Sequence, residues 1–84
     1  MNGCVAIVFK PRRESMPRIL EVIGAGGFDL YGLHLIPSCA ERWTLNVDLG
    51  GCWSPSEMEA LERELQRLAG IIQVIHPASV AHAA

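Results

Sequence analysis

The side chains best suited to chemistry in this sequence are two adjacent arginines, Arg12 and Arg13, which come just before a predicted helix. The N-terminal end of a helix has partial positive charge and unpaired N–H groups, so an anion can bind there. Two guanidinium groups could add charge-assisted hydrogen bonds to that anion. The residues allow a second interpretation, in which the arginines are the solvated side of a turn.

Histidines, cysteines and glutamates form no recognisable catalytic or metal-binding motif. The histidines and cysteines are His34, His76, His82, Cys4, Cys39 and Cys52. No histidine has a Cys or His at the spacing of zinc ligands, and the cysteines contain no C-x-x-C pair. The glutamates of the second predicted helix are typical of a solvated face. The sequence therefore predicts no catalytic residue, no metal site and no cofactor, and reduced thiols in a cytoplasmic protein.

Length and composition limit the function further. With 84 residues, residues 1–77 are predicted to form one domain, and residues 78–84 a disordered tail. Half of the residues are hydrophobic, which favours a surface for self-association or for a partner. A net charge of −2 disfavours nucleic-acid binding. Without an apolar run of about 18 residues or a signal peptide, we expect no membrane association.

Hydrophobic patterning in the first half predicts a strand, a helix and a hairpin. Residues 4–10 are predicted to form a strand; they are apolar up to Phe9 and rich in β-branched residues, which is typical of a central strand buried on both faces. Ser15 is predicted to cap a helix that ends at the glycines following Ile23, and Gly27 to need either positive φ or a close approach of the backbone. Residues 31–35 and 43–49 alternate as two strands, with a turn predicted at residues 37–41.

The second half predicts a helix and a last strand. Ser54 and Glu57 have the spacing of a capping box, with Pro55 at the first helical position. Residues 71–75 form a final apolar strand before Pro77. The resulting order is that of a ferredoxin-like α+β fold, βαββαβ. It gives a four-stranded antiparallel sheet with two helices on one face and its other face bare.

Three segments carry a resemblance to a known family: RILEVIGAGGFDLYGLHLIP, ERWTLNVDL and IIQVIHP. Together with the helix between the last two, they resemble an ACT domain over residues 5–77. Within that superfamily the chain most resembles the small regulatory subunit of acetohydroxyacid (acetolactate) synthase, isozyme II type. The glycine–aromatic–polar–aliphatic turn that follows the first helix carries much of this likeness.

The resemblance implies a homodimer whose sheets join side by side, with a small amino acid bound at the interface. One wall of that site would be Arg12, Arg13, Glu14, Ser15 and Met16, and the other would be the partner's Gly27, Phe28, Asp29 and Leu30. Valine-binding members typically have an Asn and a Gly in the first of these segments. Because this chain has neither, we expect weak or absent valine binding.

The function implied is that of a non-catalytic regulatory subunit in branched-chain amino-acid biosynthesis. It would bind and activate the catalytic large subunit of acetohydroxyacid synthase. A free-standing amino-acid-sensing module of another pathway is the alternative. A small ferredoxin-like enzyme or metal carrier is disfavoured by the missing C-x-x-C pair and the missing acylphosphatase-type anion loop.

Overall fold

A computed structural model describes residues 3–50 and 54–75 of the chain. The elements are β1 (Gly3–Phe9), α1 (Ser15–Ala25), β2 (Asp29–Cys39), β3 (Arg42–Gly50), α2 (Pro55–Gln66) and β4 (Ile71–Ile75). All neighbouring strands are antiparallel, in the order β2-β3-β1-β4. The predicted ferredoxin-like βαββαβ fold is therefore confirmed, and the predicted tail at residues 78–84 lies outside the described residues.

The hydrophobic core lies between one face of the sheet and the two helices. Alternate residues of β1, Val5, Ile7 and Phe9, are buried there, as strand geometry requires. The other core residues are Ile19, Ile23, Phe28, Leu45, Val47, Leu49, Met58, Leu61, Leu65 and Val74. The prediction that β1 is buried on both faces is wrong, because Cys4 is exposed on the face away from the helices.

Ser15 does not cap α1, which corrects the sequence-based prediction. Glu14 occupies the N-cap position without a side-chain cap, and Ser15 is the first helical residue. The Ser15 hydroxyl instead donates to the Lys10 carbonyl at 3.1 Å and accepts from the Arg12 N–H at 3.0 Å. These two bonds fix the shape of the loop that leads into the helix.

The start of α2 follows the sequence, and the end of α1 lies among the predicted glycines; α2 itself ends at Gln66, earlier than the predicted end at Gly70. α1 ends at Ala25 with Gly26 as its C-cap, so Gly24 lies inside the helix and does not end it as predicted. Gly27 has a φ of +81°, one of the two alternatives predicted for it. At α2 the predicted capping box is present: the Glu57 N–H donates to Ser54 Oγ at 3.3 Å, and the Ser54 N–H donates to Glu57 Oε1 at 3.3 Å.

Strand β2 is longer than the sequence predicts. Pro37 pairs with Trp43 and Cys39 with Arg42, so residues 37–39 extend the strand rather than form the predicted turn. Only Ala40 and Glu41 remain in the turn. A proline is tolerated here because β2 is an edge strand, where an N–H on the outer side has no partner to lose.

Neither helix of the described chain is long and apolar enough to cross a membrane.

Candidate functional site

The loop between β1 and α1 forms one wall of an open cleft of about 610 Å³. Lys10, Arg12 and Arg18 place three positive charges on this side of the cleft, together with a single carboxylate, Glu14. Arg18 Nη2 donates to Glu14 Oε2 at 2.9 Å, one helical turn away. Within residues 3–50 and 54–75, Lys10 and Arg12 have no carboxylate partner. The cleft therefore has two cations free to meet an anion.

The loop between α2 and β4, with the start of β4, lines the rest of the cleft. Leu68, Ile71 and Ile72 give it an apolar surface. The Lys10 N–H donates to the Gly70 carbonyl at 2.8 Å, which ties the two loops together. Gly70 has a φ of +88°, a conformation that favours glycine at this junction. A backbone hydrogen bond therefore joins the two loops without any bound ligand.

The structure brings only some of the predicted site residues together. Arg12, Glu14 and Ser15 line the cleft. Arg13 is exposed outside the cleft, and the Met16 side chain packs partly against the core. The second predicted wall, at residues 27–30, lies elsewhere in the fold.

The two predicted walls lie at opposite ends of the sheet. Phe9, at the end of β1, pairs with Trp43, beside the hairpin turn. Asp29, at the start of β2, pairs with Gly50 at the far end of β3. Residues 12–16 and 27–30 of one chain therefore cannot line one pocket, and only a second copy could bring them together.

Phe28, predicted to belong to the partner's wall of that pocket, is 8% exposed and belongs to the core. Phe28 also lines a groove of about 320 Å³ between α1 and α2. Leu30, by contrast, keeps an exposed side chain on β2. Of Phe28 and Leu30, therefore, Leu30 is the residue that a partner at the sheet edge could contact.

The edge strand β2 exposes a row of leucines. Leu33 and Leu35 pair with Val47 and Leu45 of β3, which are fully buried. The side chains of Leu33 and Leu35, however, are 47% and 39% exposed. Their side chains share the face that carries the helices, but they lie beyond the helices' cover. An apolar edge of this kind is a common place for another strand to pair.

A small polar cluster lies on the bare face of the sheet. Cys4 pairs with Asp48 across β1 and β3, and Asp48 pairs with Gly32 on the other side. A Cβ at Gly32 would lie 2.8 Å from Asp48 Oδ2, so the glycine leaves room for this carboxylate. Desolvation by its neighbours, together with the hydrogen bond and negative charge of Asp48, raises the pKa of the Cys4 thiol above 9.0. This thiol is consequently a poor nucleophile at neutral pH.

No group of three or more His, Cys, Asp or Glu side chains is arranged to hold a metal ion in the part of the chain that the structure describes.

Sequence reasoning missed half of the cleft. The sequence pattern gives Lys10 only as the end of a strand, assigns no role to Arg18, and does not connect residues 68–72 with a site. The charge of Lys10 and Arg18 was visible in the sequence. Nothing local indicated that the loop after β1 contacts the loop before β4.

Comparison with known proteins supports the fold. The sequence matches no protein-family model. A search of curated proteins also found no match. Solved structures do match: the ACT domain from GTP pyrophosphokinase of Chlorobium tepidum superposes with a TM-score of 0.77 at 16% identity, covering 90% of this chain and 96% of that one.

Two further structures show the same architecture. The small subunit of acetolactate synthase from Thermotoga maritima has a TM-score of 0.77 at 13% identity, covering 90% of this chain and 47% of that one. The C-terminal domain of the MgtC protein from Mycobacterium tuberculosis has a TM-score of 0.74 at 22% identity, covering 89% and 83%. The chain thus has the ferredoxin-like fold that ACT domains adopt.

Proposed function

We propose that this protein is a non-catalytic regulatory subunit that pairs with a second copy through β2 and activates the catalytic subunit of acetohydroxyacid synthase. The observation that carries the proposal is the exposed leucine row of β2. The fold shared with a small subunit of acetolactate synthase supports it, as does a match to the regulatory subunit of aspartate kinase from Thermus thermophilus, with a TM-score of 0.65 at 14% identity.

The two sheet edges differ in their suitability for pairing. β2 has 11 residues, and β4, at the other edge, has 5 within the described part of the chain. Leu30, Leu33 and Leu35 on β2 are all exposed, and pairing two copies of this strand would bury them together. Because half of this small chain is hydrophobic, removing that row from water would add to its stability. The second copy is therefore expected at β2.

Sedimentation of the purified protein tests the assembly. We expect a dimer at micromolar concentration, and Leu33→Arg to shift it toward monomer because two charges would be forced into the paired edge. Ile72→Arg is the matched control, since Ile72 is 42% exposed on the opposite edge and should leave the dimer intact. A monomeric wild type, or equal loss of the dimer in both variants, would refute pairing through β2.

Activation is tested with the large catalytic subunit of acetohydroxyacid synthase from the same genome. A subunit that binds the active form of that enzyme tenfold more tightly than the inactive form shifts their equilibrium by about 1.4 kcal/mol. If the protein is the isozyme II-type subunit that we propose, the two proteins should co-elute and acetolactate should form several-fold faster. A protein that dimerises but leaves the rate unchanged would instead favour a free-standing amino-acid-sensing module.

A further inference from the structure

We propose that the cleft between the β1–α1 and α2–β4 loops binds a short aliphatic carboxylate that has no positive charge, such as a branched 2-oxo acid. This site is formed within one chain. It does not use residues 27–30, and it does not depend on the subunit role proposed above.

The charge of the cleft selects an anion. Lys10, Arg12 and Arg18 all border it, although the chain as a whole carries a net charge of −2. Lys10 and Arg12 have no carboxylate partner among the described residues. Charge-assisted hydrogen bonds from these two side chains are suited to a carboxylate.

The same geometry disfavours an amino acid. An α-ammonium group needs an anionic or carbonyl partner when it enters a cleft, and the charge of the one lining carboxylate, Glu14, is offset by Arg18 at 2.9 Å. Placing an ammonium group between Lys10 and Arg12 would add a like charge, which is unfavourable. A 2-oxo acid has a carbonyl oxygen at the same position, and that oxygen accepts hydrogen bonds from the cations.

The apolar side of the cleft selects an apolar tail. Leu68, Ile71 and Ile72 line that side, and Ile72 is 42% exposed, so it has surface left to bury. A branched aliphatic group laid on this wall would gain the usual hydrophobic stabilisation, which inorganic phosphate could not. The volume of about 610 Å³ lies within the range of small-molecule sites, roughly 300–1,000 Å³.

The cleft is also preorganised. The bond from the Lys10 N–H to the Gly70 carbonyl joins its walls, and the Ser15 hydroxyl fixes the loop through Lys10 and Arg12. A ligand therefore orders side chains more than backbone when it binds, and the entropic cost is correspondingly smaller.

Calorimetry on the isolated protein at low salt tests the site with two ligands that differ at one position. The ligands are 3-methyl-2-oxobutanoate and valine, with inorganic phosphate as a third probe that lacks the apolar tail. We expect saturable binding of the oxo acid, and at least tenfold weaker binding of valine and of phosphate. No saturable binding of the oxo acid at millimolar concentration, or equal or tighter binding of valine or phosphate, would overturn the proposal.

Three variants locate the binding. Lys10→Ala and Arg12→Ala should each weaken oxo-acid binding about tenfold, which corresponds to about 1.4 kcal/mol. Arg13→Ala is the matched control, because Arg13 is adjacent and exposed but does not line the cleft. Its affinity should change less than twofold. An equal loss in Arg13→Ala and Arg12→Ala would mean diffuse attraction by surface charge, and the site would be rejected.

These measurements need no catalytic subunit, so their failure is distinguishable from failure of the proposed function. All three substituted positions are exposed, and thermal denaturation of each variant will establish that it is folded.

Discussion

Replacing Gly27 with alanine isolates the energetic cost of one backbone conformation. Gly27 has a φ of +81°, and a Cβ added there would have no other heavy atom within 4 Å beyond its chain neighbours. Steric crowding with the surroundings is therefore absent, and the left-handed backbone is the whole penalty. That conformation costs a non-glycine residue about 1–2 kcal/mol, partly offset by reduced freedom of the unfolded chain.

Gly24 offers a matched control with the opposite sign. It lies within α1, has no left-handed φ, and an added Cβ there would also meet nothing within 4 Å. Alanine should stabilise this helical position by about 0.5–1 kcal/mol. The two substitutions add the same methyl group three residues apart, so their difference reports backbone conformation alone.

Thermal denaturation at one fixed protein concentration is the assay, because association makes the melting temperature depend on concentration. For a domain of this size, 1 kcal/mol corresponds to roughly 4–8 °C. Gly27→Ala should therefore lower Tm by about 4–8 °C, and Gly24→Ala should raise it by a few degrees. If Gly27→Ala melted with the wild type, or if Gly24→Ala were equally destabilised, the argument from φ would be refuted.

Three further outcomes are expected. A Cβ at Gly50 would overlap the ring of Tyr31, so Gly50→Ala should lower Tm. The decrease in Tm should be smaller in a protein that also carries Tyr31→Ala. Additive effects in this double-mutant cycle would contradict the contact. Ser54→Ala removes the capping bonds at the start of α2 and should cost about 1 kcal/mol by thermal denaturation, with an unchanged Tm showing the cap to be dispensable. Alkylation of Cys4 should reach half its maximal rate above pH 9.0, and Asp48→Asn should move that midpoint to lower pH. Because the pKa of this thiol is raised in the folded protein, its contribution to the free energy of unfolding is present below its unfolded-state pKa. That contribution is lost as the pH rises through the folded-state pKa.

Local patterns were enough to predict most of the fold. The capping box with Pro55 located the start of α2, and β4 has the predicted bounds, Ile71–Ile75. The place of Gly27 between a helix and a strand predicts either positive φ or a close backbone approach, and its φ is positive. These features depend on residues that are close together in sequence, where propensity and turn chemistry determine the conformation.

The errors arose where one residue had two competing sets of partners. Ser15 has the right type for an N-cap, but its hydroxyl is taken by Lys10 and Arg12. Pro37 has the composition of a turn, but pairing with Trp43 keeps it in an edge strand. These competing contacts were not visible in the local pattern.

The candidate site was predicted less completely than the fold. One loop of the cleft was identified by its charge, and the other was missed because sequence spacing does not show which loops share an end of the sheet.

The positions of the two loops also affect how each candidate ligand site would respond to dilution. Residues 12–16 and 27–30 lie at opposite ends of the sheet, so a site made from both exists only where two chains meet. Ligand bound there would be linked to association: it would hold the dimer together, and its apparent affinity would fall as the protein is diluted. The cleft at Lys10 and Gly70 belongs to one chain, so its affinity would stay the same at every protein concentration at which the fold persists.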